Sequence, residues 1–487
     1  MARDFIHHLV IATALCPILP MLLLSGCIGA PYRRPDVPVP TRYRGDTQAP
    51  DVPGAAANGE QGKPGERRSL AELRWQDLIH DEELQKLVQE ALANNYDAQI
   101  AAARVLEARA QLTVARSALL PSVNAQAGYN NLRTSQDISG LLPGESAESN
   151  FTSLSAGLGW ELDLWGQIRN ATVAARAGLL ASVEARHVVL QTLVSDVAAA
   201  YFLLRDLDLE QEITRHALQL REVSLDLVQL RVDNGYSSEI DLRQAEVLVK
   251  SARTALTSLE LENEQTENQL AILLGRNPGP IVRGRSLLEQ DLAPSFPPGL
   301  PSTLLDRRPD IRQAEQQLIA SHALLAVAKA AFFPTISLTA STGFESSALL
   351  NLFEASNGTW LLAPAANLPI FNAGAIRAGV RIAQARRQQA LLAYRQTVQQ
   401  AFREVADSLA GCRKLAELRT QQGGLVESLR AAVDVADLRY QGGVASYLEY
   451  LDSERQLLDA QLQLVQIRRQ ELTNVVTLYR ALGGGWQ

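Results

Sequence analysis

Between Trp165 and Gly275 the chain runs without a proline and with only three glycines, Gly166, Gly178 and Gly235. Proline removes a backbone donor and clashes with the preceding turn, so a stretch this long without it can hold an unbroken helix. Residues 167–232 are rich in Ala, Leu, Gln, Arg and Glu, which lose little rotamer freedom in a helix. They predict one helix of roughly 65 residues, about 100 Å long, far beyond the length of a globular helix. At Asp233-Asn234-Gly235-Tyr236-Ser237-Ser238 the pattern breaks with an Asn-Gly turn signal and a serine able to cap a new helix. Apolar periodicity then resumes to Leu274. The prediction is a long helical hairpin with a tight tip.

The hairpin occurs twice. Leu230-Arg231-Val232-Asp233-Asn234-Gly235 aligns with Leu438-Arg439-Tyr440-Gln441-Gly442-Gly443, Glu246 with Glu454, and Leu274-Gly275 with Leu482-Gly483, all at one offset. Upstream, Ala118-Leu119-Leu120-Pro121-Ser122 resembles Ala331-Phe332-Phe333-Pro334-Thr335 at a slightly larger offset. A tandem duplication of residues 77–275 and 304–483 follows, two intertwined halves rather than a string of independent domains.

A net charge of −7 and a pI near 5.6 argue against a nucleic-acid partner. No P-loop, zinc-protease or nucleophile-elbow motif is present, so neither catalytic residues nor cofactors are expected. The N-terminus carries Arg3, His7 and His8, then an apolar run from Leu9 to Leu24 that ends in Leu24-Ser25-Gly26-Cys27. This reads as a secretion signal over residues 1–26. Leu-Ser-Gly-Cys resembles the bacterial lipobox, which implies cleavage before Cys27 and a lipidated mature N-terminus; the alternative is an ordinary signal with a chance cysteine. Ile28 in place of aspartate favours outer-membrane sorting by the same resemblance. Cys16 leaves with the signal, and with Cys27 acylated Cys412 stands alone, so no intrachain disulfide can form. His80, His187, His216 and His322 lack ligand spacing and read as packing or solvated residues rather than metal ligands.

Residues 28–70 are rich in Pro, Gly, Asp and Gln and suit an extended tether. From about Asp81 to Leu120 one helix is predicted, stopped by Pro121. The period then switches from 3.6 to 2. Val123, Ala125, Ala127 and Tyr129 alternate with small polar residues, as do Leu154, Ala156, Leu158, Trp160, Leu162 and Leu164. The second copy repeats this over residues 335–344, with Ile336, Leu338, Ala340 and Phe344, and over 360–370. After Pro369 a helical pattern runs to Leu482, with an interruption expected at Gln421-Gln422-Gly423-Gly424.

Alternation alone fits a soluble sandwich and a membrane barrel equally. Strands of about ten residues match the hydrocarbon thickness when tilted, Tyr129, Trp160 and Trp360 can form an aromatic belt, and the chain is exported, which together favour the barrel. Four strands cannot close alone, and in lipid an open edge leaves backbone groups unsatisfied. Three chains would supply twelve strands. The long helices carry charge throughout and are expected in the periplasm, as the Ala-rich wall of a tube or, alternatively, as a solvated coiled-coil stalk.

Several runs carry a family resemblance: the lipobox, the duplicated strand-and-helix unit, Ala-Phe-Phe-Pro-Thr-Ile-Ser-Leu at 331–338, Leu-Pro-Ile-Phe-Asn-Ala-Gly at 368–374 and Ala-Leu-Gly-Gly-Gly-Trp at 481–486. The chain resembles the TolC-like outer membrane efflux proteins, specifically the lipoprotein branch that serves resistance-nodulation-division pumps. The resemblance implies a mainly α fold with a transmembrane β-barrel: a homotrimeric twelve-strand outer membrane barrel, four strands per chain, continuous with a long periplasmic α-helical barrel. The expected organisation is a signal peptide (1–26), a lipidated tether (27–76), a first repeat (77–275) with β-hairpin 121–164 and helical hairpin 166–274, an equatorial linker (276–303), and a second repeat (304–483) with β-hairpin 334–370 and helical hairpin 374–482. The implied function is a passive exit duct for drugs or metal ions, docked through a periplasmic adaptor onto an inner-membrane pump. A polypeptide duct or an envelope-spanning scaffold is the alternative.

The same resemblance places functional residues at the tips. Asn234, Gly235 and Ser237 on the first, with Gly442, Gly443 and Val444 on the second, are candidates to receive the adaptor. Tyr440, Glu449 and Asp452 are candidates for the periplasmic gate, with two carboxylates three residues apart becoming stacked rings under threefold symmetry. Ala445 stands where some relatives carry a gate arginine, and Arg439 is the candidate replacement donor.

Overall fold

The computed structural model describes residues 31–40, 42–44, 70, 73–133, 148–292 and 301–486. Cys27, the signal and most of the tether lie outside these. The described elements are α1 (Trp75–Leu78), α2 (Glu82–Asn94), α3 (Tyr96–Ser117), β1 (Ser122–Arg133), β2 (Glu148–Leu162), α4 (Gln167–Asp233), α5 (Glu239–Leu273), α6 (Pro301–Arg307), α7 (Pro309–Ala330), β3 (Thr335–Ser346), β4 (Gly358–Asn367), α8 (Ala375–Gln441) and α9 (Tyr447–Ala481), with short 3-10 turns at Leu349–Asn351 and Ala355–Asn357. The chain divides into two compact units, and each draws on both sequence repeats.

The first unit comprises residues 1–36, 104–182 and 313–394 and holds the four-stranded antiparallel sheet, in the order β1-β2-β3-β4. Its register puts the apolar positions directly opposite one another: Val123 faces Leu158, Leu158 faces Ala340 and Ala340 faces Leu362. Directly opposed residues share a face, so one face is apolar across all four strands. Ser122, Gly159, Thr339 and Ala363 line up on the other. Beside the sheet Trp165 packs on Phe333 with ring centroids 5.0 Å apart and donates its indole N–H to the Pro334 carbonyl at 2.7 Å. Asp163 accepts from the backbone N–H groups of Ile168 and Arg169 at 3.0 and 2.8 Å and so caps the start of α4. Residues 31–36 of the tether belong to this unit, where the Arg34 guanidinium grips Glu315 at 2.6 and 2.8 Å.

The second unit comprises residues 37–103, 183–312 and 395–487. Its core includes Leu84, Val197, Tyr201, Phe202, Leu270, Leu304, Ile311 and Val405, all essentially fully buried. Asp81 caps α2 and also accepts from the Tyr201 hydroxyl, the Gln290 amide and the Arg285 N–H. Burial alone would raise the Asp81 pKa; these hydrogen bonds outweigh it and hold the carboxyl below its ordinary value. Among the described residues only α4 is long and apolar enough to cross a membrane, and 56% of its apolar window is buried inside the protein, as a core helix requires.

Three sequence expectations are corrected. The single helix expected over residues 81–120 is split at Asn95, whose side chain accepts from the Ala98 N–H and donates to the Leu273 carbonyl at 3.0 Å. The repeat does the same between α6 and α7, where buried Arg308 donates to the Ala481 carbonyl at 3.1 Å. Each break anchors the far end of its own helical hairpin. Conversely, no interruption occurs at Gly423-Gly424, because α8 runs through both for 67 residues. Two glycines cost a helix about 2 kcal/mol, but buried Gln422 donates to the Ala460 carbonyl on α9 at 3.0 Å and ties the segment down. Strand ends also shift: β4 stops at Asn367, before Pro369, rather than reaching residue 370.

Candidate gate and docking site at the hairpin tips

Both tips lie in the second unit and are built alike. Gly235 ends α4 at φ +77° and Gly443 ends α8 at φ +73°, the left-handed region open to glycine. Around them Tyr236 donates to the Arg231 carbonyl and Gly235 to Val232, while Val444 donates to Arg439 and Gly443 to Tyr440, at 2.8–3.0 Å. These are paired Schellman caps. They leave Tyr236 and Val444 projecting at 83% and 70% exposure, each an apolar side chain at the extremity of a hairpin. Asn234 turns back onto the Leu230 carbonyl at 2.7 Å, and Ser237 and Gly442 complete the turns.

The next helix starts differently in the two copies. In the first, Ser238 and Asp241 form a reciprocal capping box. In the second, Ser446 takes the cap and accepts from the Glu449 N–H at 3.3 Å, but the Glu449 carboxylate pairs instead with Arg439 at 3.2 Å. Glu449 is thus the repeat partner of Asp241, diverted from capping its own helix to clasping α8. Arg439 is the donor on this carboxylate within the single chain. Asp452 accepts from Arg455 at 2.7 Å and Gln456 at 2.6 Å, and the Arg455 bond foremost holds its carboxyl below the ordinary range. It borders a groove of about 320 Å³ that also includes Ile240, Val247, Leu448 and Leu451. The two carboxylates therefore serve different neighbours, Glu449 against α8 and Asp452 beside α5.

Tyr440 lies in an aromatic cluster rather than alone. Its ring centroid is 5.2 Å from that of Tyr447 and 6.3 Å from that of Tyr450, and the Arg231 guanidinium of the first hairpin sits 4.8 Å from it. Tyr447 is buried with Val228, Leu242, Ala245 and Leu451, and its hydroxyl meets that of Ser224 at 2.8 Å. The Tyr440 hydroxyl is buried and finds no hydrogen-bond partner among the described residues. Behind the cluster the Glu454 carboxyl accepts from Tyr450 at 3.4 Å. Burial raises its pKa, against the opposing pull of Arg221 and the Tyr450 hydrogen bond. Nothing in the sequence marks Ser224, Arg231 or Glu454 as parts of one tip cluster, the latter two standing out only as repeat matches; the constant repeat offset is the signal that pairs Asp241 with Glu449.

A family model described as outer membrane efflux protein matches residues 87–276 and 300–484. The chain belongs to the outer membrane efflux protein family. Within it, the chain is 36% identical over 471 residues to the probable efflux pump outer membrane protein TtgC of Pseudomonas putida, covering 95% of this chain and 94% of that one. It is 35% identical over 477 residues to the cation efflux system protein CusC of Escherichia coli, covering 97% and 99%. The solved open state of the Neisseria gonorrhoeae MtrE outer membrane channel superposes with a TM-score of 0.82 at 31% identity, covering 95% and 99%. This outer membrane efflux protein thus shares the channel fold of that group along nearly its whole length, and each tip described above is the turn of the helical hairpin within one of the two matched segments.

Proposed function

We propose that the chain is the outer membrane exit duct of a tripartite efflux system, working as a homotrimer without chemistry on its cargo. The observation that carries this reading is the sheet. Among the described residues it has four strands, one apolar face running across them and two outer edges, β1 and β4, without a neighbouring strand. In a bilayer such edges must be paired, and three chains close twelve strands with β4 of one beside β1 of the next. In this reading residues 1–26 are removed, Cys27 carries lipid ahead of the tether, and the helical hairpins form the periplasmic tunnel. The tips at Asn234, Gly235, Ser237, Gly442, Gly443 and Val444 receive a periplasmic adaptor, which joins the duct to an inner-membrane resistance-nodulation-division pump. Tyr440, Glu449 and Asp452 form the gate. The names of TtgC and CusC, one an efflux pump component and one a cation efflux component, favour small toxic compounds or metal ions as cargo. Planar bilayer recordings and a deletion strain test the reading. Single-channel conductance with drug or metal hypersensitivity is expected. A non-conducting protein would make it a scaffold, and a deletion that blocks only polypeptide secretion would make it a secretion duct.

A further inference from the structure

The connection between β3 and β4, residues 347–357, is an apolar exposed segment that the gate and docking reading leaves unused. Leu349, Leu350 and Phe353 are 69%, 99% and 69% exposed. They are not loose side chains on a slack loop. Ser346 and Ala348 exchange hydrogen bonds at 2.9 and 3.2 Å, Glu354 donates to the Asn351 carbonyl, and the Asn357 amide returns to that same carbonyl at 2.7 Å. Leu352, at 4% exposure, is folded inward and fixes the turn. A structure that holds three large apolar side chains outward in this way marks a surface made for an apolar partner.

The register says which partner. Phe344 shares its face of the sheet with Leu154, and the alternating ladder carries that face through Ala340 and Leu362. The Phe353 ring stands edge-on against Phe344 with centroids 5.5 Å apart, so the connection leans to the apolar face. Tyr129 and Trp360, both well exposed, belong to the same face at the same end of the sheet. From residue 330 to residue 376 the only charged side chains are Glu345 and Glu354, with no lysine or arginine to recognise a phosphate.

We propose that residues 347–357 are a lipid-contacting wedge, with Leu349, Leu350 and Phe353 seated among the acyl chains of the outer leaflet as an upward extension of the apolar face. The inference rests on the barrel reading of the proposed function, under which that apolar face turns outward to lipid. An aqueous loop over the channel mouth would turn the Phe353 ring away from Phe344 and toward the polar face.

The test uses the full-length trimer with Cys412→Ser as background and two single-cysteine variants, Leu350→Cys in the connection and Leu362→Cys on the apolar face of β4. Each carries an environment-sensitive fluorophore in phosphatidylcholine vesicles containing doxyl-labelled lipid, with iodide as the aqueous quencher. Both positions are solvent-exposed within the single chain, at 99% and 60%, so neither substitution opens a cavity. The expected result is a blue-shifted emission at both, mostly lost to doxyl lipid and spared by iodide. If the Leu362 site responds so but the Leu350 site is quenched by iodide, the connection is in water and the inference falls. If the Leu350 site is shielded from both quenchers, a second copy of the chain covers it and the inference also falls. A Leu362 site that itself reports water overturns the lipid-facing reading, and this inference with it.

Discussion

Glu449 and Asp452 sit three residues apart on α9, yet each carboxylate already has an arginine of its own chain, Arg439 at 3.2 Å and Arg455 at 2.7 Å. Both pairs are about half exposed, and water screens exposed pairs, so assembly can redirect them at little cost. Close carboxylates in a narrow ring favour cations and bind divalent ions. A Glu449→Ala, Asp452→Ala double variant is expected to lose cation preference and divalent block in planar bilayers, and Arg439→Ala to strengthen both. Unchanged selectivity in the double variant would remove the gate assignment. Glu454 gives the tip a pH dependence of its own. Burial raises its folded-state pKa, so the folded tip binds this proton more tightly than the unfolded chain does. Its contribution to stability is full below the ordinary glutamate pKa of about 4.3 and is lost as pH rises through the raised value. Hydrogen exchange at the tips, corrected for intrinsic rate, should slow several-fold from neutral toward mildly acidic pH. Glu454→Gln should flatten that dependence, and an unaltered profile would assign it to another group.

At the scale of elements, the two hairpins show how little local sequence a long helix needs. The α4 and α8 helices each span 67 residues, held by packing along their length and closed by one glycine apiece. Nothing lies within 4 Å of a Cβ added at Gly235 or Gly443. A side chain there meets no steric barrier and costs only the positive φ, about 1–2 kcal/mol. Gly235→Leu and Gly443→Leu should therefore leave fold and trimer intact while projecting bulk from each tip. Drug or metal resistance, and cross-linking to the adaptor, are expected to drop severalfold. Intact trimers with undiminished efflux would show that the glycines serve only the turn.

The whole molecule is incomplete as one chain. Among the described residues its sheet has two open edges, and the apolar face carries charge only at its far end, where Arg133 faces Glu148, so the middle of that face has no charge to protect it in water. Native mass spectrometry of protein extracted from membranes is expected to find three copies, each beginning at Cys27 with added acyl mass. A monomer, or an unmodified N-terminus elsewhere, would contradict the closed barrel or the lipid anchor respectively.

Periodicity is a property of the chain, so whatever it governs was legible in the sequence alone: the length of α4 from the absence of proline, the strands from their alternation, the duplication from one offset shared by Gly235 and Gly443. Register, the choice of partner and the fate of glycines within a helix depend on what packs alongside, and only the tertiary structure decided them. Gly423-Gly424 has the local signature of a break, yet Gln422 bonded to Ala460 carries the helix through. Arg308 is followed by Pro309, which cannot continue the preceding helix, whereas Asn95 caps the helix after it, and the tertiary fold uses both breaks alike by placing each side chain at the last carbonyls of α5 and α9. Glu449 and Asp241 are equivalent by sequence, and one caps its helix while the other reaches Arg439. A carboxylate takes the strongest donor within reach, and reach is set by neighbours that are distant in sequence.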